Sequence, residues 1–149
     1  MQRHSAMSRS WSEQRTISSL MMRPPVCVRI HDTVASVLTL LLDAHLHAAP
    51  VVDARQHLIG FVSLSDLAGA AYDEAPIDDV MTRLVISLRA SSTVTMAAAL
   101  MAYEGLRQLP IVDVENRVVG LLSALDVLRW LAQEDGYCMP SYTQRQVLR

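Results

Sequence analysis

Cysteine is scarce in this chain: Cys27 and Cys138 are the only two in 149 residues. Two thiols make no disulfide framework, and a reducing compartment is the expectation. Basic excess is missing as well, with 13 Lys and Arg against 15 Asp and Glu and a formal charge of -2. Without a clustered basic stripe there is no electrostatic footprint for nucleic acid, and no acidic run is long enough to make a disordered tail. Nor is there a membrane span. The densest apolar stretch, 34–42, stops at Asp43, well short of the roughly 20 residues needed. Residues 1–16, rich in Ser and Arg, resemble a transit peptide in composition, lack the apolar core of a secretory signal, and read as a flexible extension. The expectation is a soluble, cytoplasmic protein. Catalytic apparatus is equally wanting, since no strand-turn-helix nucleophile elbow places the serines, histidines and aspartates in catalytic roles. His31, His45, His47 and His57 have no acid or thiol partner at zinc spacing, so they read as solvated loop histidines and no metal is expected.

What the chain does have is an internal repeat. An ungapped shift of sixty residues lays 17–72 on 77–132 and matches fourteen identical pairs. Among them are Met21/Met81, Arg23/Arg83, Thr33/Thr93, Pro50/Pro110, Asp53/Asp113, Gly60/Gly120, Ser63/Ser123 and Asp66/Asp126. Two copies imply a pseudo-twofold pair, because a solenoid generally needs three or more. Either half alone would bury too little surface to be stable, so the halves are expected to share a core.

Each copy reads in the same order. A short extended run, 26–30 or 85–88, leads to a helix opened by Asp32 or Ser92 as N-cap. Its apolar face is Val34, Val37, Leu38, Leu41 and Leu42 in the first copy, and Val94, Ala97, Ala98, Leu100 and Met101 in the second. Gly105 stands where the second helix should stop; His45 replaces it in the first. Two apolar runs follow, 49–52 then 58–62 and 109–112 then 118–122, joined by polar hairpin segments 53–57 and 113–117. A second helix begins near Ser65 or Leu125 and is better formed in the second copy. The acidic stretch 73–79, broken by Pro76, holds the linker, assigned to 73–76. After Gln133 the pattern is lost, and 133–149 reads as an irregular tail. The doubled β-α-β-β-α unit is an α+β fold of small sheets packed on helices. Trp130 on the last helix suits a core position or a subunit interface equally.

These elements resemble a tandem pair of CBS domains, often called a Bateman module. The resemblance covers about 17–132. It rests on VMTR at 80–83 with LMMR at 20–23, the Thr-Val helix openings, APVVD at 49–53, LPIVD at 109–113, and the endings GFVSLSD at 60–66 and GLLSALD at 120–126. It implies a regulatory module without catalytic chemistry, which binds adenosyl ligands such as AMP, ADP, ATP, NAD or S-adenosylmethionine in two clefts and pairs as a homodimer. Carried over by position, one cleft would use Ile86, Leu106, Arg107, Gln108 and Leu121 with Ser63, Ser65 and Asp66. The other would use Val26, Leu46, His47, Ala48 and Phe61 with Ser123 and Asp126. No cofactor is required. With so little chain outside the repeats, output is expected on an unknown protein partner in trans. The alternative is a structural or interaction module with empty clefts.

The chemistry of those residue types stands beside the resemblance. A helix N-terminus carries unpaired N–H groups and attracts phosphate. A serine hydroxyl there can donate to phosphate, and an ionised aspartate accepts from both hydroxyls of a ribose. Each Ser-x-x-Asp also fits a capping box that needs no ligand. The clefts are expected to differ: the first has two hydroxyls, Ser63 and Ser65, and the fixed charge of Arg107, whereas Leu125 and His47 stand at the equivalent positions of the second.

Overall fold

The computed structural model describes residues 15–20 and 24–134. Most of the expected N-terminal extension, Met21, Met22 and Arg23, and the tail beyond Glu134 lie outside the described residues, and Trp11 and Cys138 with them.

In the first repeat, helix α1 (Val34–Asp43) leads into strands β1 (Ala48–Val52) and β2 (Leu58–Ser63) and the short helix α2 (Leu64–Ala68). The second repeat runs β3 (Leu88–Arg89), α3 (Val94–Glu104), β4 (Gln108–Val112), β5 (Val118–Ser123) and α4 (Ala124–Glu134). The fold is α+β, with β1 antiparallel to β2, β4 antiparallel to β5, and β3 parallel to β4. The two hairpins share one register down to the same irregularity, after Val51 in one and Ile111 in the other.

Three expectations change in detail. The N-caps are Thr33 and Thr93, one residue later than Asp32 and Ser92. Each threonine hydroxyl accepts from the backbone N–H three residues on, Ser36 or Met96, at 3.2 Å. The Asp32 carboxylate instead accepts from the Arg29 N–H at 2.8 Å and closes the preceding turn. The first extended run makes only a parallel bridge from Val28 to Val51, and its counterpart is a two-residue strand starting at Leu88. On α1, Val34, Val37 and Leu41 are buried as expected, whereas Leu38 and Leu42 are exposed, because three residues per two turns suffice to cover this small sheet.

The cores cross the repeat boundary. Each repeat opens with a short 3₁₀ turn, Ile17–Ser19 or Ile77–Asp79. Ile77 packs into the first core with Val37, Leu41 and Val62, while Ile17 packs into the second with Ala97, Leu109 and Ile111. Backbone bonds follow the same exchange. The Ile77 N–H donates to the Asp32 carbonyl at 2.9 Å, and the Ile17 N–H to the Ser92 carbonyl at 2.8 Å. The hairpin turns then clasp each other across the pseudo-twofold axis: Leu58 N–H donates to Asn116 carbonyl and Val118 N–H to Gln56 carbonyl, both at 2.9 Å. Val52, Val112 and Val118 form a third cluster beneath this clasp, with Cys27 and Leu58 against it. Burial raises the Cys27 thiol pKa above its ordinary value, with Arg29 acting the other way, which favours the protonated thiol.

Candidate functional site

Gly60 on β2 sets the geometry of the site. A Cβ there would stand 2.5 Å from the Met81 sulfur and 3.3 Å from the Thr82 carbonyl oxygen. That close approach lets the second repeat's lead-in lie along β2, where Phe61 and Thr82 exchange backbone hydrogen bonds of 2.9 and 2.8 Å. The chain continuing from Thr82 through Leu84, Val85 and Ile86 then becomes one wall of a cavity of about 630 Å³.

Both repeats contribute to this cavity. From the first come His47, Ala48, Phe61, Ser63, Ser65 and Asp66; from the second come Ile86, Leu106, Arg107, Gln108 and Pro110. Of the residues expected in the first cleft, all but Leu121 line it. His47, Ala48 and Phe61, expected in the second cleft, line this same cavity. Val26, Leu46, Leu121, Ser123 and Asp126 are not on its wall. Leu46 packs against the first core, and Val26 is half-buried in the run before Val28. Leu64, Thr82, Leu84, Val85, Gly105 and Pro110 also line the cavity and were not anticipated as site residues; for Thr82 the VMTR motif at 80–83 was the signal.

Ser63 and Asp66 form a complete capping box on α2. The serine hydroxyl accepts from the Asp66 N–H at 3.2 Å, and Asp66 Oδ2 accepts from the Ser63 N–H and hydroxyl, both at 2.8 Å. Ser123 and Asp126 repeat the arrangement at the start of α4, with Asp126 Oδ2 accepting at 3.1 and 2.7 Å. The capping interpretation therefore holds for both motifs. The difference lies in the second carboxylate oxygen. Asp126 Oδ1 faces the Arg129 guanidinium at 3.4 Å, whereas Gly69 stands at the matching position after Asp66 and Asp66 Oδ1 has no partner among the described residues. That pairing was missed in the sequence, although Gly69 against Arg129 in the sixty-residue alignment was its signal.

The chemistry of the cavity is that of a site for a flat, partly apolar, anionic molecule. Ile86, Leu106 and Pro110 give apolar surface, Asp66 offers an open acceptor, and Arg107 has no ion-pair partner among the described residues. Helix α2 has five residues, so most of the positive field for an anion comes from Arg107. No group of three or more metal-ligating side chains comes together among the described residues. No described helix is long and apolar enough to cross a membrane.

Similar proteins share the fold. The CBS domain family model matches residues 17–73 and 77–133. The CBS domain pair of protein MJ0100, in complex with 5′-methylthioadenosine and S-adenosyl-L-methionine, superposes with a TM-score of 0.74 at 25% identity, covering 80% of this chain and 98% of that one. CBSX2 in complex with AMP gives 0.73 at 27% identity with the same coverage. Among curated relatives from Methanocaldococcus jannaschii, the uncharacterized protein MJ0188 is 32% identical over 76% of this chain and 43% of its own. L-aspartate semialdehyde sulfurtransferase is 26% identical over 76% of this chain and 22% of its own. The chain thus spans less than half the length of these curated relatives. The sixty-residue repeat, the exchanged lead-ins and both matched segments agree: this chain belongs to the CBS-domain family and carries two copies in tandem.

Proposed function

We propose that the protein is a non-catalytic, ligand-sensing regulatory module whose inter-repeat cavity binds an adenosyl ligand: AMP, ADP, ATP, NAD or S-adenosylmethionine. The observation that carries this is the convergence, on one cavity, of Asp66 with an open carboxylate oxygen, the hydroxyls of Ser63 and Ser65, the charge of Arg107 and the apolar wall of Ile86 and Leu106. Asp66 would accept from ribose hydroxyls, Arg107 would meet a phosphate or carboxylate, and the apolar wall would take the purine face. The adenosyl compounds bound by the MJ0100 pair and by CBSX2 support the same class. Around Asp126, the Arg129 pair and Leu125 in place of the second serine make a weaker site, in which a ligand must first displace the guanidinium.

Output would pass to a partner protein through a homodimer. Helix α1 exposes Leu40 and Leu42, α3 exposes Met96 and Tyr103, and α4 exposes Leu125, Leu128 and Leu131, apolar surface that a second copy would cover. Ligand would act only through unequal affinity for two assembly or conformational states. The test is a thermal-shift screen with the five adenosyl ligands, followed by calorimetry and sedimentation of the hits. A ligand that binds the folded state raises the melting temperature, by an amount equivalent to about 2.7 kcal/mol at a hundred times its Kd. Asp66→Ala is expected to abolish the tighter binding event and Asp126→Ala to leave it. The reverse result would overturn the ranking of the sites. No shift with any ligand at millimolar concentration would favour an interaction module with empty clefts.

A further inference from the structure

The first residue of β4 carries an unmatched group. Strand alternation sends Leu109 and Ile111 into the second core, where both are fully buried, and puts Gln108 and Pro110 on the face that lines the cavity. Gln108 is 7% exposed, and its side-chain carbonyl oxygen is sealed from solvent without a hydrogen-bond partner. Ser123 is its cross-strand neighbour, but the Ser123 hydroxyl donates to Asp126. A buried acceptor left unpaired is costly, so such a group calls for an explanation. Packing does not supply one. Ala48, sixty residues earlier, holds the matching strand position at 5% exposure and lines the same cavity, so a methyl group satisfies the fold there.

We propose that Gln108 determines specificity, using its side-chain amide to read the exocyclic amine on the edge of an adenine ring; this rests on the adenosyl reading above. With the ring face against Ile86 and Leu106, the amine would donate to the amide oxygen. The adjacent ring nitrogen would accept from the amide NH₂. This is a two-point match that a side-chain amide makes with adenine and that a ring lacking the amine cannot complete. Swinging the side chain about its aliphatic torsions brings the amide oxygen out of its sealed position and presents both ends of the amide to the entering ring edge. Discrimination arises because a ligand without the amine leaves the acceptor orphaned in the complex as well.

The test is calorimetry on the whole chain with two probes, AMP and purine riboside 5′-monophosphate, which differ only by the 6-amino group. The unmodified protein is expected to prefer AMP by about tenfold or more. Gln108→Met, close in volume and without polar atoms, should reduce that preference to less than about twofold, and Gln108→Ala, the residue of the other repeat, should do the same. The ligand-free melting temperature of Gln108→Met should equal or exceed that of the parent, since the orphaned acceptor is gone. An undiminished preference in both variants would overturn the inference and leave the adenosyl reading standing. A Gln108→Met protein that melts earlier or fails to fold would show that the amide is structural, which also overturns it. Failure of AMP to bind the unmodified protein overturns it too, and the adenosyl reading is then decided by the other ligands of the thermal screen.

Discussion

At the scale of single residues, the hairpin turns show how much of the electrostatics is local. Asp53 Oδ1 accepts from the backbone N–H groups of Arg55 and His57 at 2.8 and 2.9 Å, and Oδ2 meets His57 Nδ1 at 2.9 Å. These contacts, the His57 side chain first, hold the Asp53 carboxyl below its ordinary range, and the Arg117 N–H acts likewise on Asp113. A carboxyl depressed in the folded state stabilises the fold above its unfolded pKa, about 3.9, and that contribution is lost as pH falls through the folded value. His57→Ala should therefore raise the Asp53 midpoint in a carboxyl NMR titration and move Asp113 much less. An unmoved Asp53 would mean that the turn's backbone alone sets it. The aspartates were legible as a matched pair at the start of each hairpin. The N-caps were displaced by one residue, because Asp32 and Thr33 are both good capping types and only the turn back to Arg29 shows which of them is already engaged. The Arg129 pair escaped for a similar reason: an i,i+3 contact competes with a ligand only when the carboxylate's other oxygen is seen to be taken.

At the scale of elements, α1 and α3 end in the same way with different residues. Gly105 has φ of 67° and His45 has φ of 53°, both in the left-handed region. After them, Leu106 and Leu46 return their N–H groups to the carbonyls of Met101 and Leu41 at 3.0 and 2.9 Å. Glycine takes that conformation without strain, and a side chain with a Cβ does not. His45→Gly should stabilise the protein by about 1 kcal/mol and Gly105→Ala should destabilise it by a similar amount, as read from urea midpoints at unchanged m-value. Equal midpoints for parent and His45→Gly would show that the imidazole has a compensating role. Helix positions were legible from apolar residues spaced at 3.6, and the hairpins from paired short apolar runs joined by a polar segment. The first extended run of each repeat was overestimated, because a few apolar residues in a row do not distinguish a paired strand from a single bridge with one neighbour. Residues 85 and 86 belong to the cavity wall, and pairing begins only at Leu88.

At the scale of the whole molecule, the duplication is plain in the sequence, whereas the exchange of lead-ins is not. A shift of sixty residues is the same whether Ile17 packs on its own repeat or on the other, so symmetry in the sequence cannot choose between the two arrangements. Packing chooses: Ile77 is fully buried among residues of the first repeat and Ile17 among residues of the second, each tied there through its backbone N–H. The exchange also positions the cavity, since the chain leaving Ile77 bridges to β2 at Thr82 before it lines the cavity that Asp66 also lines. Truncating a fully buried isoleucine to alanine costs about 2–5 kcal/mol. Ile77→Ala should therefore lower hydrogen-exchange protection first in α1, β1 and β2, which precede it in sequence, and Ile17→Ala should do so first in α3, β4 and β5. Affinity for the proposed adenosyl ligand should fall in Ile77→Ala under conditions where the fold is intact, because the wall formed by residues 82–86 loses its anchor. Protection lost first within each residue's own repeat would refute the exchanged packing, and with it the account of how both repeats come to line one cavity.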